Sequence, residues 1–312
     1  MILVTGGTGF IGQALIRHLT EMHYPVRTLL RPSNESPRLP RGVAVDVTVS
    51  SLADERGLRA AMVGVDTVFH LASGEWHGPR ASLMDIDIQG TRAVVDAAQD
   101  AGVTRIYYVS HLGADRASAF PVLKAKGIAE EHIRRSKINF TILRTAIIFG
   151  ENDQFTNSIA YLLRKSALFF LMPGDGRVQL QPLWVEDLVT CLTWCLEDEE
   201  TLDQTYDIGG PEYLSFQQIV EQVMRVTGKH RQILHIAPPY LRGLTVLLEA
   251  FQRNLPVSVY WLDYLAVNRT TALDTLPRTF NLMPSRLSHT LTYLGERRQM
   301  VPESSQRMEI YP

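Results

Sequence analysis

The chain opens on an unbroken apolar run, Met1 to Val4, and then changes period: Ile11, Leu15, Ile16 and Leu19 recur at three- and four-residue spacings. Glycines at 6, 7, 9 and 12 fill the interval. A run without polar alternation predicts a strand buried on both faces of a parallel sheet, and the spacing after it predicts an amphipathic helix. The same alternation continues. Strands are predicted over residues 26–30, 43–46, 65–72, 105–110 and 139–143, with helices over 52–62 and 84–101 between them. Gly102 closes the second of these helices. This rhythm predicts an α/β fold, a doubly wound parallel sheet over residues 1–150 with strand order 3-2-1-4-5-6. Its ligand site is expected at the carboxyl ends of the strands.

Past residue 150 the rhythm loosens. Helices are predicted over 152–166, over 183–196 and from an N-cap at Ser215 to 227, with strands over 205–208 and 230–236. Pro238-Pro239 breaks the chain ahead of a helix carrying Leu241, Leu244, Leu247, Leu248 and Phe251. Residues 151–312 are expected to form a smaller, partly helical part, interleaved with the sheet edge and covering its substrate side. The last dozen residues read as a loose tail.

The glycine turn carries the first chemistry. Gly6 permits a tight turn, and Gly9 lets the backbone approach a pyrophosphate whose charge rests on the helix N-terminal amides. Gly12 lets the helix pack closely on the strand. Gly6, Gly7, Thr8, Gly9, Phe10, Ile11 and Gly12 are therefore candidate dinucleotide contacts. Leu71 and Ala72 join them, because bulky side chains at the end of the fourth strand would block a nucleotide. A site selective for NAD usually carries Asp or Glu at the end of its second strand, where this chain has Leu30 followed by Arg31. The missing carboxylate removes repulsion against a 2′-phosphate, and arginine can bind that phosphate through two hydrogen bonds. NADP(H) is the expected cofactor, with NAD(H) as the alternative.

Composition narrows the rest. Across 312 residues the net charge is −2, so no basic excess exists to displace counterions from nucleic acid. The Arg134-Arg135 and Arg297-Arg298 pairs read as solvated faces. Cys191 and Cys195 lie four apart on one helix face beside Trp194, with no His or third Cys nearby; packing is expected there, and no metal site. So few cysteines in so long a chain fit a reducing compartment, and a cytoplasmic protein is expected. The N-terminus is itself the first strand, which argues against a signal peptide. The apolar stretches at 162–172 and 240–251 are interrupted by charges, so no transmembrane segment is expected.

Several motifs carry a family likeness. The start Thr5-Gly-Gly-Thr-Gly-Phe-Ile-Gly12 resembles that of the extended and atypical short-chain dehydrogenases/reductases, as do Asp46-Val47, Val68-Phe-His-Leu-Ala72, Gly90-Thr91 and Ala101-Gly-Val-Thr-Arg105. Thr141-Ile-Leu-Arg144, Ile148-Phe-Gly150, Gln181-Pro182, Val185-Glu-Asp187 and Gly209-Gly-Pro-Glu212 are most similar to the branch containing the nucleotide-binding accessory subunit of respiratory complex I. The likeness runs from residue 1 to about 235. It implies an NAD(P)-binding Rossmann domain and adds Asp46, Val47, Thr145, Ile147 and Ile148 to the cofactor contacts. It also implies a Tyr-x-x-x-Lys pair at the start of the helix after strand five. There the lysine holds the nicotinamide ribose and lowers the phenol's pKa for proton exchange.

Two registers offer themselves, Phe120…Lys124 and Val122…Lys126. The family's habit of following the lysine with Ala-Glu selects Lys126, through Ala129-Glu130. Val122 then stands where the phenol should be, and it cannot move a proton. Ser110 and Lys126 remain as hydroxyl and ammonium for both cofactor and chemistry, although many relatives place the hydroxyl nearer Leu112. His111 offers a substitute proton carrier, with Asp115 in the same loop; Tyr107 and Tyr108 read as packing. Three functions are compatible with this set. One is an NADP(H)-binding atypical member whose cofactor is structural, regulatory or used in unconventional redox work. Another is a reductase or sugar-nucleotide epimerase/dehydratase with a substitute acid and a small-molecule substrate. The third is a quinone-linked or respiratory accessory protein in peripheral contact with a membrane. The absent tyrosine favours the first and third.

Overall fold

β1 (Ile2–Thr5) is buried along its whole length, as a strand enclosed on both faces must be. The computed structural model describes residues 1–33, 39–75, 82–251 and 257–296; the expected tail and the Arg297-Arg298 pair lie outside the described residues. From β1 the chain runs through α1 (Phe10–Glu21), β2 (Val26–Leu30), β3 (Asp46–Val49), α2 (Glu55–Ala61) and β4 (Thr67–His70). A π-helical turn, Met84–Gln89, leads into α3 (Gly90–Asp100), then β5 (Arg105–His111), α4 (Pro121–Arg135) and β6 (Asn139–Thr145). The strands stand in the order β3-β2-β1-β4-β5-β6, all parallel, as the alternation predicts. The point where the winding reverses lies beside β1, so the glycine turn opens at the crevice where such sheets bind ligands.

Two boundaries are corrected. The third strand occupies Asp46–Val49 rather than residues 43–46, with Asp46 level with Arg27 and Val49 level with Leu30. Leu183 and Trp184 do not begin a helix; they form a short strand, and the helix starts at Val185.

The chain continues through β7 (Ile148–Phe149), α5 (Phe155–Lys165), β8 (Phe169–Pro173), β9 (Gln179–Leu180), β10 (Leu183–Trp184) and α6 (Val185–Glu197) to β11 (Gln204–Ile208). β11 pairs in parallel with β6 and extends the large sheet to seven strands. α6 packs its Leu188, Val189, Cys191, Leu192 and Cys195 into one core cluster with β1 and α1. Both cysteines are free and buried; burial pushes the Cys195 thiol up to about 12, which leaves it inert. Trp194 is turned outward, 42% exposed, instead of lying on their face.

A second core gathers Phe149, Phe155, Phe216 and Trp261 among others. It is built by α5, by α7 (Phe216–Thr227) with its Ser215–Gln218 capping box, and by α9 (Val259–Tyr264). Between the last two run β13 (Gln232–Ile236), paired with β8, and α8 (Pro238–Phe251), while β12 (Leu214–Ser215) pairs with β9. α8 starts at its two prolines. Proline lacks the amide that the first helical turn leaves unbonded, so here it opens the helix.

Candidate functional site

The glycine cradle is a matter of clearance. Gly6 has φ +73°, and a β-carbon on it would lie 2.7 Å from the Ala72 nitrogen and the Leu71 carbonyl carbon. A β-carbon on Gly12 would run into the Gly6 carbonyl oxygen. Gly6, Gly12, Leu71 and Ala72 therefore touch one another through backbone, and only glycine fits the first two. α1 begins at Gly9 with no side-chain cap and no acidic residue in its first turn, so its leading amides are available to an anion. Thr8 and Gly9 are exposed at this mouth, Phe10 and Ile11 are half-buried beside it, and Gly7 is buried against Thr28 and Ile16. Arg31 is exposed just past the carboxyl end of β2, while Leu30 is buried.

Asp46 and Val47 are corrected as cofactor contacts. They open β3 instead of closing it, three and two residues short of its carboxyl end. The Asp46 carboxylate is 2.7 Å from Arg27 Nε, whose hydrogen bond lowers its pKa.

The second wall is built from β5 and α4. Ser110, nearly the last residue of β5, is buried, and among the described residues its Oγ has no hydrogen-bond partner. Thr145 Oγ1 donates to the Ser110 carbonyl at 3.2 Å; Ile147 is buried beyond it, and Ile148 opens β7. Lys126 is buried on α4. Its Nζ lies 3.4 Å from Asp87 Oδ1 and 5.2 Å from the centre of the Tyr108 ring. Burial opposes the ammonium charge, but Tyr108, Asp87 and Glu75 outweigh it and hold the pKa above the ordinary lysine range. Among the described residues the buried Tyr108 hydroxyl makes no hydrogen bond of sound geometry, although it is close enough to couple electrostatically to Lys126. Asp87 is itself buried and accepts from Ser73 Oγ at 2.7 Å and from the Gly74 amide at 2.9 Å. Such an orphaned hydroxyl, buried ammonium and clearance-limited cradle fit a dinucleotide. The cradle would take its phosphates, and Ser110 and Lys126 would face its nicotinamide end.

Two buried devices hold this wall. Glu130, one helical turn beyond Lys126, receives Arg144 through three contacts of 2.7–3.2 Å and Arg134 at 2.9 Å. The β6 arginine thus fixes how α4 is rotated on the sheet, and with it where Lys126 points. His70 Nδ1 is 2.7 Å from Thr5 Oγ1, and its Nε2 is 2.9 Å from Thr91 Oγ1. Thr91 donates to the Asp87 carbonyl, which assigns the proton on His70 to Nε2. Burial, with the Lys126 charge behind it, pushes the His70 pKa down to about 3. This neutral histidine ties the cradle strand to the turn that carries Asp87.

Beyond Lys126 lies a small cleft lined by Val122, Phe120, Tyr260, Trp261 and Tyr264, with Glu75, His111, Ser258, Asp263 and Arg269 supplying its polar groups. Sequence reasoning identified Val122 and His111 but not Glu75, Asp87, Tyr264 or Arg269. Asp87 had a legible signal, an acid on the buried face of a helix four residues before Thr91. The others come from segments far apart in sequence and carried none.

Comparison with known proteins agrees with this geometry. The NAD(P)H-binding family matches residues 6–164. The alpha-subcomplex subunit 9 of mitochondrial NADH dehydrogenase [ubiquinone] from Arabidopsis thaliana is 28% identical, over 87% of this chain and 69% of its own length. The Mus musculus counterpart is also 28% identical, over 74% of this chain and 62% of its own length. This chain thus spans between three-fifths and seven-tenths of those relatives. An NAD(P)H azoreductase of Xenophilus azovorans is 26% identical over 73% and 74% of the two chains. In three dimensions an NADPH-dependent quinone oxidoreductase of Escherichia coli superposes with a TM-score of 0.72 at 18% identity, covering 94% of this chain and 99% of its own. That likeness establishes the shared fold. Matched from the glycine turn to the helix after its sixth strand, this chain belongs to the NAD(P)H-binding family.

Proposed function

We propose that the chain is an NADP(H)-dependent redox protein whose acceptor is planar and apolar, of the quinone class, and that it turns over sugar nucleotides and aliphatic alcohols or ketones poorly. One observation carries the reading: Val122 stands one helical turn from Lys126 on the wall of a cleft whose apolar lining is mostly aromatic, from Phe120, Tyr260, Trp261 and Tyr264. An aliphatic alkoxide is about as basic as hydroxide. A reduced quinone is a phenol, titrating at about 10. The quinone's oxyanion is therefore far the weaker base, and loss of the tyrosine phenol is less costly with a quinone. The similarity to an NAD(P)H azoreductase supports a planar, unsaturated acceptor. Arg31 beside Leu30 supports the choice of NADP(H) over NAD(H).

The test is NADPH oxidation under a panel of acceptors. A naphthoquinone should be reduced in preference to acetophenone, benzyl alcohol with NADP, or UDP-glucose, and Val122→Phe should retain that activity. Equal turnover of UDP-glucose, or no NADPH oxidation by any quinone, removes the proposal.

A second, compatible reading concerns location. Phe169 and Leu171 of β8, and Tyr240, Val246 and Leu247 of α8, are exposed, Tyr240 at 77%. They flank an apolar groove that Lys165 also lines, and Arg231 is held at its edge by a 2.7 Å hydrogen bond to the Ser166 carbonyl. An apolar face bordered by cations suits the surface of an anionic membrane. Among the described residues no helix is long and apolar enough to cross one. Sedimentation with phosphatidylserine vesicles but not phosphatidylcholine vesicles is expected, and Tyr240→Glu with Leu247→Glu should abolish it; no sedimentation with either vesicle ends this reading.

A further inference from the structure

The cleft holds a titratable pair of its own, distinct from the Lys126–Asp87 pair outside its lining. His111, the last residue of β5, places Nε2 2.5 Å from Glu75 Oε2, and the two side chains are 12% and 14% exposed. Both line the cleft with Val122, Tyr264 and Arg269. The Tyr264 ring meets the imidazole edge-on at 6.0 Å. Buried Arg269 stacks on Tyr264 and donates to the carbonyls of Tyr264 and Leu112, locking the 264 loop against the residue after His111.

The contrast with the other buried histidine is informative. His70 satisfies both ring nitrogens with threonine hydroxyls, which is how a packing histidine is normally held. His111 satisfies only one. Its Nδ1 is buried and has no hydrogen-bond partner among the described residues, and the same is true of the Tyr264 hydroxyl and the Trp261 indole nitrogen in the same cleft. A carboxylate on one nitrogen and nothing on the other is the arrangement of a proton carrier oriented by an acid.

We propose that His111 is the proton donor of this site and that Glu75 is its positioning residue. The Glu75 carboxylate accepts Nε2–H, which directs the exchangeable proton to Nδ1. A dinucleotide held by the glycine cradle, Ser110 and Lys126 would supply a hydride to the acceptor, leaving negative charge on its carbonyl oxygen. The Nδ1–H bond then breaks as an O–H bond forms. The imidazolium becomes a neutral imidazole still donating through Nε2, and solvent returns the proton. Per turnover one hydride and one proton enter and a neutral hydroquinone leaves. The charged groups facing His111 are Glu75, Arg269 across Tyr264, Asp263 on α9, and the Lys126–Asp87 pair beyond Glu75.

The acceptor in this scheme rests on the reading above, but the proton site can be tested without turnover. 4-Nitrophenolate, a coloured oxyanion of the product class, is titrated into the full chain saturated with NADP. Wild type should bind it with loss of the phenolate absorbance as the oxygen takes the proton. His111→Asn should bind at least tenfold more weakly and leave the band intact, with NADP affinity unchanged. Glu75→Gln should fall between them. In naphthoquinone turnover, general acid catalysis typically contributes about 10²–10⁴; His111→Asn should lower kcat at least tenfold and remove its dependence on pH, whereas Glu75→Gln should lower kcat with KM unchanged. Nitrophenolate binding that is equal in wild type and His111→Asn overturns the assignment, as does equal turnover. If wild type fails to reduce any quinone yet binds nitrophenolate through His111, the acceptor reading falls and the proton site stands.

Discussion

The glycine cradle and the α4 wall stand on opposite sides of the same crevice, and they are built from different materials. The cradle is backbone: its clearances are set by the absence of side chains at Gly6 and Gly12. The wall is side chain. Its work depends on which group projects from Val122, Lys126, Asp87 and His111, and one substitution can remove a proton donor without disturbing the fold. This difference explains how a chain can keep a family's cofactor geometry while its chemistry moves to other residues.

Removing Glu130 should have the largest effect and should separate the two regions. Glu130→Ala leaves Arg144 and Arg134 beside a buried site without their carboxylate, and breaking a buried pair costs about 3–5 kcal/mol. Chemical denaturation should show that loss. NADPH should still bind to folded protein through the cradle, weakened only by what Lys126 on α4 contributes at the nicotinamide end; complete loss of binding in folded protein would show the two regions to be one unit. Gly12→Val attacks the other side. Cofactor affinity should fall at least 100-fold, roughly 3 kcal/mol, by titration calorimetry, while naphtholate or nitrophenolate contacts at the cleft persist. Retained affinity would mean that the cradle is not where the dinucleotide binds.

Arg31→Ala should weaken NADPH by about 1.5–3 kcal/mol, the usual range for a charge-assisted bond, and leave NADH nearly unchanged; equal losses would refute the phosphate assignment. The smallest effect concerns His70, the tie between the regions. Its folded pKa, about 3, lies below the unfolded value near 6.5. Its contribution is therefore fully present above pH 6.5 and is lost as the pH falls, because the unfolded chain binds the proton first. Unfolding free energy should decline by about 1.4 kcal/mol per pH unit between roughly 6.5 and 5, and His70→Gln should lack that slope. An unchanged slope in the variant would place the titrating group elsewhere.

The pattern of apolar runs and glycines by itself determined the order of the central sheet and the glycine turn, while the choice of Lys126 on its helix came from the family resemblance. These are local matters: a four-residue apolar run, a three-to-four spacing and the Ala129-Glu130 pair are all visible within a dozen residues. Tertiary structure decided the rest. It moved the third strand three residues on, which took Asp46 from the carboxyl edge to an ion pair with Arg27. It brought β11 to the sheet from beyond residue 200. It also set Glu75, His111, Tyr264 and Arg269 around one cleft although the chain separates the first from the last by nearly two hundred residues. A periodicity records which face of an element is buried and is silent on what that face meets. The cradle was therefore legible in the chain, and the proton site became visible only once the sheet and the C-terminal helices closed over it.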